Sequence, residues 1–282
     1  MASCVNTCSG IELAFCVYRG NMRTIKKIAL TGLTMLVILG IVISAHGETI
    51  VGSRHDLHWA LTLPDMGFWG TYNDYGEVCV YCHTPHGANT AGNAPLWNRN
   101  YPTGPYIPYD SPTMDKKAPS MPNSESLACL SCHDGTIAVD EILNMPGTGW
   151  SPSGERGTLT ALDSWPDPGY GYHGKLTTTG DQFVNCAVSC HGGSLIAGTD
   201  FTAGALGTDL SNDHPISMAY PSAGDDPFFK TTAEVASGGL KLFGGTNTVE
   251  CSSCHNVHDP ANKPFLRKSN TGSALCYTCH DK

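Results

Sequence analysis

Charged side chains are scarce in this 282-residue chain, at 15% of the total. Basic ones are scarcer still, 16 Lys and Arg against 25 Asp and Glu. A shortage of cations disfavours nucleic acid and anionic membrane surfaces as partners and leaves metal cations or basic redox proteins open. Long stretches of helical or strand periodicity are also missing. The segments 100–114 (NYPTGPYIPYDSPTM), 145–157 (MPGTGWSPSGERG) and 163–174 (DSWPDPGYGYHG) carry too much proline and glycine for long helices or central strands. With 32 Gly and 18 Pro, regular structure is expected to be scarce. No long low-complexity linker separates the motifs, so no domain boundary is expected inside residues 48–282.

One long apolar run is present. MRTIKK at Met22–Lys27 is a basic n-region, IALTGLTMLVILGIVI follows, and small residues lie near Ser44, Ala45 and Gly47. Residues 22–47 read as a signal peptide, with His46 at the cleavage point and export through the periplasm to the exterior. Residues 1–21 precede a normal-looking start and read as a mis-annotated upstream extension; their Cys4, Cys8 and Cys16 have no histidine behind them. Removing residues 1–47 takes away Arg19, Arg23, Lys26, Lys27 and Glu12, leaving 12 bases against 24 acids and a formal charge of −12. After cleavage no membrane insertion is expected.

The ten remaining cysteines fall in five pairs, Cys79/Cys82, Cys129/Cys132, Cys186/Cys190, Cys251/Cys254 and Cys276/Cys279. A histidine follows each at once: His83, His133, His191, His255 and His280. In an exported protein cysteines usually mean disulfides, and four thiolates can hold zinc, but neither needs an adjacent histidine. Two thiols spaced to form thioethers with haem vinyl groups, with the next residue as an axial ligand, do need it. Four pairs have the CxxCH spacing; CAVSCH has three intervening residues and could still reach both vinyls. Five haems c are expected, four if the Cys186/Cys190 motif is unused. Short helical turns are expected around each motif, at 55–63 and at 131–143, where apolar residues recur at roughly helical spacing.

Six more histidines, His55, His58, His86, His173, His214 and His258, face five vacant axial positions. His86 follows His83 by three residues, as His258 follows His255 and His58 follows His55. Side chains at that separation leave one side of a helical turn and cannot span both faces of one porphyrin, so the second histidine should reach a neighbouring haem. Two ligands on one segment then force two haems together. The competing ligand is methionine, but Met66, Met114, Met121, Met145 and Met218 keep no fixed offset from the motifs. Bis-histidine coordination and low potentials are expected.

HDLHW, GEVCVYCHTPHG, APLWNRN, LACLSCHDGTIAVD, DHPIS, CSSCHNVHDP with KPFLRK, and LCYTCH together resemble the polymerising extracellular multihaem c-type cytochromes, the OmcS/OmcE-type cytochrome nanowires of metal-reducing bacteria. The resemblance spans nearly all of residues 48–282 and departs at CAVSCH. It implies a mostly irregular, haem-templated multihaem cytochrome c with short helices and few or no strands. It also implies a homopolymer, a head-to-tail filament passing respiratory electrons to extracellular acceptors or other redox proteins. His55 or His58, near the N-terminus, is the expected donor of any axial ligand shared between copies.

A monomeric periplasmic or outer-membrane-conduit carrier would show the same motifs. A multihaem reductase needs one iron open to substrate, and none of the five motifs has an altered proximal ligand, so an electron-transfer protein rather than an enzyme is expected. The secreted chain should show five haem additions by intact mass on a polypeptide starting near residues 46–48; four additions would strike CAVSCH from the set.

Overall fold

The computed structural model describes residues 49–57, 75, 77–145, 175–176, 202–221 and 226–281. The leader, His46, His58, His173 and CAVSCH with Cys186, Cys190 and His191 lie outside the described residues. Contacts divide the chain into Met1–Glu48 and Thr49–Lys282, and all the described cysteine motifs belong to the second unit.

Among the described residues the chain is mostly irregular. The α-helices are α1 (Ser124–His133), α2 (Thr232–Ser237) and α3 (Cys251–Cys254). One two-stranded antiparallel sheet joins β1 (Met218–Ala219) to β2 (Thr248–Val249), with Met218 opposite Val249. Short 3₁₀ turns occupy Cys79–Tyr81, Thr202–Gly204, Thr271–Ser273 and Cys276–Thr278. No described helix is long and apolar enough to cross a membrane.

Helix α1 begins upstream of its cysteines and stops at His133, so the helical turn expected over 131–143 is not there. The Asp134 N–H closes the last turn on Leu130 O, and Gly135 follows at φ +71°, the left-handed position that ends helices. Asp134 Oδ1 then accepts from the Thr136 N–H and hydroxyl, both at 2.8 Å, fixing the exit as a turn. Helix α2 starts with a capping box in which Thr231 Oγ1 accepts from Glu234 N–H and the Glu234 carboxylate accepts from Thr231 N–H.

Apolar burial is divided into three small clusters. Tyr75, Tyr81 and Ile142 form one; Tyr106, Leu127, Leu130 and Leu210 the second; Tyr220, Val235 and Leu240 the third. Large apolar residues stay open to solvent between them, including Leu96, Ile107, Phe228 and Tyr277, each more than half exposed.

Two polar residues of APLWNRN join the first cysteine motif to the second. Asn98 N–H donates to Cys82 O at 2.9 Å, its Nδ2 donates to Val80 O at 2.7 Å, and its Oδ1 accepts from Asn144 N–H at 2.9 Å. Arg99 is fully buried and uses all five guanidinium donors, on the Ser131 hydroxyl and on the carbonyls of Ser131, Ala138, Val139 and Glu141. These hold the end of α1 and the loop after it against the first motif. Arg99→Met keeps bulk but leaves four buried carbonyls without that donor. It should cost at least about 3 kcal/mol, read as a lowered denaturant midpoint, while an exposed Lys117→Met costs nothing measurable.

Candidate haem-binding site

Each described cysteine pair sits on a single helical turn. The histidine N–H returns to the first cysteine carbonyl at 2.8 Å for His83, 3.1 Å for His255 and 2.9 Å for His280, and α1 carries the same arrangement at His133. Residues i, i+3 and i+4 of a turn share a face, so both sulfurs and the imidazole emerge together. The eight described motif cysteines, Cys79, Cys82, Cys129, Cys132, Cys251, Cys254, Cys276 and Cys279, are free thiols with no disulfide among them. Burial pushes the Cys82 thiol up to about 12 and the Cys279 thiol up to about 11.

The second motif differs from the expectation of a short turn standing by itself. Cys129 and Cys132 both lie inside the ten-residue α1, because the helix starts five residues before Cys129. Their sulfurs also adjoin other motifs. Cys132 is close enough to Cys82 of the first motif to add to the rise of that thiol, after burial, and Cys129 is close enough to Cys251 of the fourth for each to shift the other. Cys132 and Cys129 therefore lie at a junction of three motifs, which spacing within CLSCH could not reveal.

The imidazoles are aimed by backbone carbonyls. His83 Nδ1 bonds Pro95 O at 2.7 Å, His133 Nδ1 bonds Gly204 O at 2.6 Å, and His255 Nδ1 bonds Pro264 O at 2.9 Å. A carbonyl can only accept, so Nδ1 carries the proton and Nε2 keeps its lone pair, the form that binds a metal.

Three histidine pairs face one another: His55 and His133 with ring centroids 6.0 Å apart, His83 and His258 at 6.2 Å, and His214 and His280 at 6.5 Å. Two imidazoles on opposite sides of one metal, with bonds of about 2 Å and about 1 Å from nitrogen to ring centre, place their centroids about 6 Å apart. Haem iron, already held by four porphyrin nitrogens, takes such a pair. His55 Nδ1 and Trp97 Nε1, beside these rings, are buried with no hydrogen-bond partner among the described residues. The residues present fit haem c.

His258 therefore lies opposite His83, not against His255 three residues before it, and the facing rings are within 21° of parallel. His55 faces His133 of its own chain. His86 is exposed, and neither it nor His255 has a histidine ring partner among the described residues.

The first and fourth motifs are built alike. Thr84 N–H bonds Leu96 O at 2.8 Å where Asn256 N–H bonds Phe265 O at 2.7 Å, and Asn98 N–H bonds Cys82 O at 2.9 Å where Arg267 N–H bonds Cys254 O at 2.8 Å. Leu96 (φ 53°) and Phe265 (φ 60°) both sit in the left-handed region, turning the preceding proline carbonyl onto the imidazole. The sequence signal was the Pro-Leu and Pro-Phe steps after each HxxH segment.

The described thiol-histidine turns with paired imidazoles fit covalently attached haem and support a haem-binding electron-transfer protein of the multihaem c-type cytochrome class. Residues 245–282 match the family described as the doubled CXXCH motif. No curated protein matches the chain.

Burial, followed by the charges of His133, His255 and His258, lowers His55 from the ordinary 6.5 to about 4. The unfolded chain therefore takes up this proton first, so stability is full above about pH 6.5 and falls as pH drops toward 4. The loss is on the order of 3 kcal/mol, and iron on the same nitrogen acts in the same direction. Unfolding midpoints between pH 7 and 4.5 should show this slope, and His55→Leu should flatten it.

Proposed function

We propose that the chain conducts electrons outside the cell through closely spaced bis-histidine haems and polymerises head to tail into a filament that delivers them to extracellular acceptors. The observation that carries the conduction is the His83–His258 pair, because an imidazole from the fourth motif serving the first brings two haem-bearing segments together. Distal histidines are then His258 for His83, His55 for His133 and His214 for His280. The matched backbones of the first and fourth motifs give His86 to His255, the reciprocal of the observed pair. His191, at the fifth motif, takes His58 or His173.

His86→Ala should keep all haems attached, since attachment needs only the cysteines and proximal histidine. It should convert one haem, at Cys251/Cys254, from low-spin to high-spin; loss at Cys79/Cys82 instead would sink the exchange.

The export leader and the resemblance to cytochrome nanowires support the filament. A head-to-tail contact that does not close into a ring gives an open polymer. The second function is a self-contained carrier, favoured by His55 facing His133 within one chain. Negative-stain images of concentrated secreted protein decide: filaments are expected, and uniform monomers with fully low-spin haem establish the carrier.

A further inference from the structure

Glu250, immediately before Cys251, is buried at 1% exposure, yet no lysine or arginine pairs with it among the described residues. Its two oxygens accept four hydrogen bonds from neutral groups. Oε1 takes Asn123 Nδ2 at 2.8 Å and Thr248 Oγ1 at 2.7 Å; Oε2 takes Ser126 Oγ at 2.5 Å and Ser217 Oγ at 2.8 Å.

Two of the hydroxyls also tie the carboxylate to neighbouring backbone: Ser126 Oγ accepts from Cys251 N–H at 3.2 Å and Ser217 Oγ from Asn123 N–H at 2.8 Å. The amide Nδ2 can only donate. A carboxylate offers acceptors only, and the amide and three hydroxyls around it supply four donors. Burying a charge without a counter-ion is costly unless its hydrogen bonds are met, and here all four acceptor sites are filled.

The charge lies between two haem motifs. Glu250 precedes α3, Ser126 lies three residues before Cys129 on α1, and α1 packs on α3. The Cys129 and Cys251 sulfurs lie at the same junction, close enough for each to shift the other's thiol.

We propose that Glu250 is a potential-setting residue: a fixed negative charge that holds the haems at Cys129/Cys132 and Cys251/Cys254 at lower potential than the haems elsewhere in the chain. This rests on the cytochrome reading. Ferric haem carries one more positive charge than ferrous, and a negative charge in a low-dielectric interior favours the oxidised form. A uniform row of haems would have no such step; this carboxylate places one within the row.

The test is a reductive titration of purified holoprotein, followed at the haem absorption band. Intact mass and the low-spin spectrum are recorded on the same samples. In Glu250→Gln, nearly isosteric and uncharged, the most negative part of the curve should move to higher potential while the rest superimposes. Superimposed curves with haem content and spin state unchanged overturn the proposal, leaving Glu250 a structural link. If Glu250→Gln fails to acquire haem, Thr248→Val decides. It keeps the charge and removes one donor that offsets it, so the same part of the curve should move down; an unmoved curve overturns the proposal. Wild-type protein without haem additions by mass shows that the cytochrome reading has failed, and this proposal falls with it.

Discussion

The hydrogen bond from a proximal imidazole Nδ1 to a backbone carbonyl is the contact on which the rest of this structure depends. It fixes the tautomer, points Nε2 outward and holds the ring against rotation, and it recurs at His83, His133 and His255. The accepting carbonyls, at Pro95, Gly204 and Pro264, lie outside the α-helices and the sheet of the described residues. A regular element commits its carbonyls to its own ladder. Loop carbonyls can be turned toward a ligand, here by left-handed backbone at Leu96 and Phe265.

Much of the site was legible because attachment chemistry is local. Two sulfurs and an imidazole must leave one helical turn, so spacing alone located the turns at Cys79–Tyr81, in α1, in α3 and at Cys276–Thr278. Exit from those turns was harder to read. The apolar spacing over 131–143 suggested more helix, but Asp134 and Gly135 end α1 through a side-chain turn and a left-handed backbone, a short-range signal that outweighs periodicity. Contacts between distant segments were not legible at all. Asn98 and Arg99 stood out only as part of APLWNRN, yet their bonds to residues up to 46 positions away join two motifs. The nearness of Cys132 to Cys82 is of the same kind, a product of packing between motifs. The nearness of His55 to His133 on α1 likewise has no counterpart in sequence.

Three separate apolar clusters leave the described chain without one continuous core. Such division would be a weakness in a protein that folds on side chains alone, since each cluster buries too little surface to offset the ordering of the long loops around it. On the proposed ligation the porphyrins supply the missing apolar area, and the exposed Leu96, Ile107, Phe228 and Tyr277 become surface available to cover them. Axial ligation by distant histidines would then be coupled to folding, because a bond made in the folded state alone stabilises that state.

The cross-motif pair carries this coupling into function. If each motif supplied both ligands of its own iron, the haems could separate without breaking a metal bond, and their spacing would rest on loop packing. On the proposed ligation, an imidazole of the fourth motif serving the first would make the spacing a matter of covalent reach, through the three-residue step from His255 to His258. Electron transfer needs that spacing to be close and constant. The polar links at Asn98, Arg99 and Glu250 act on the same distances from the backbone side. Each is a buried group with its hydrogen bonds filled, and each joins segments that carry different motifs, so a shift of one segment would expose or orphan a polar atom at a cost of kilocalories. On the proposed ligation, coordination would fix the irons while these networks fix the segments that hold them, which would let the described chain with little regular structure keep its redox centres in register.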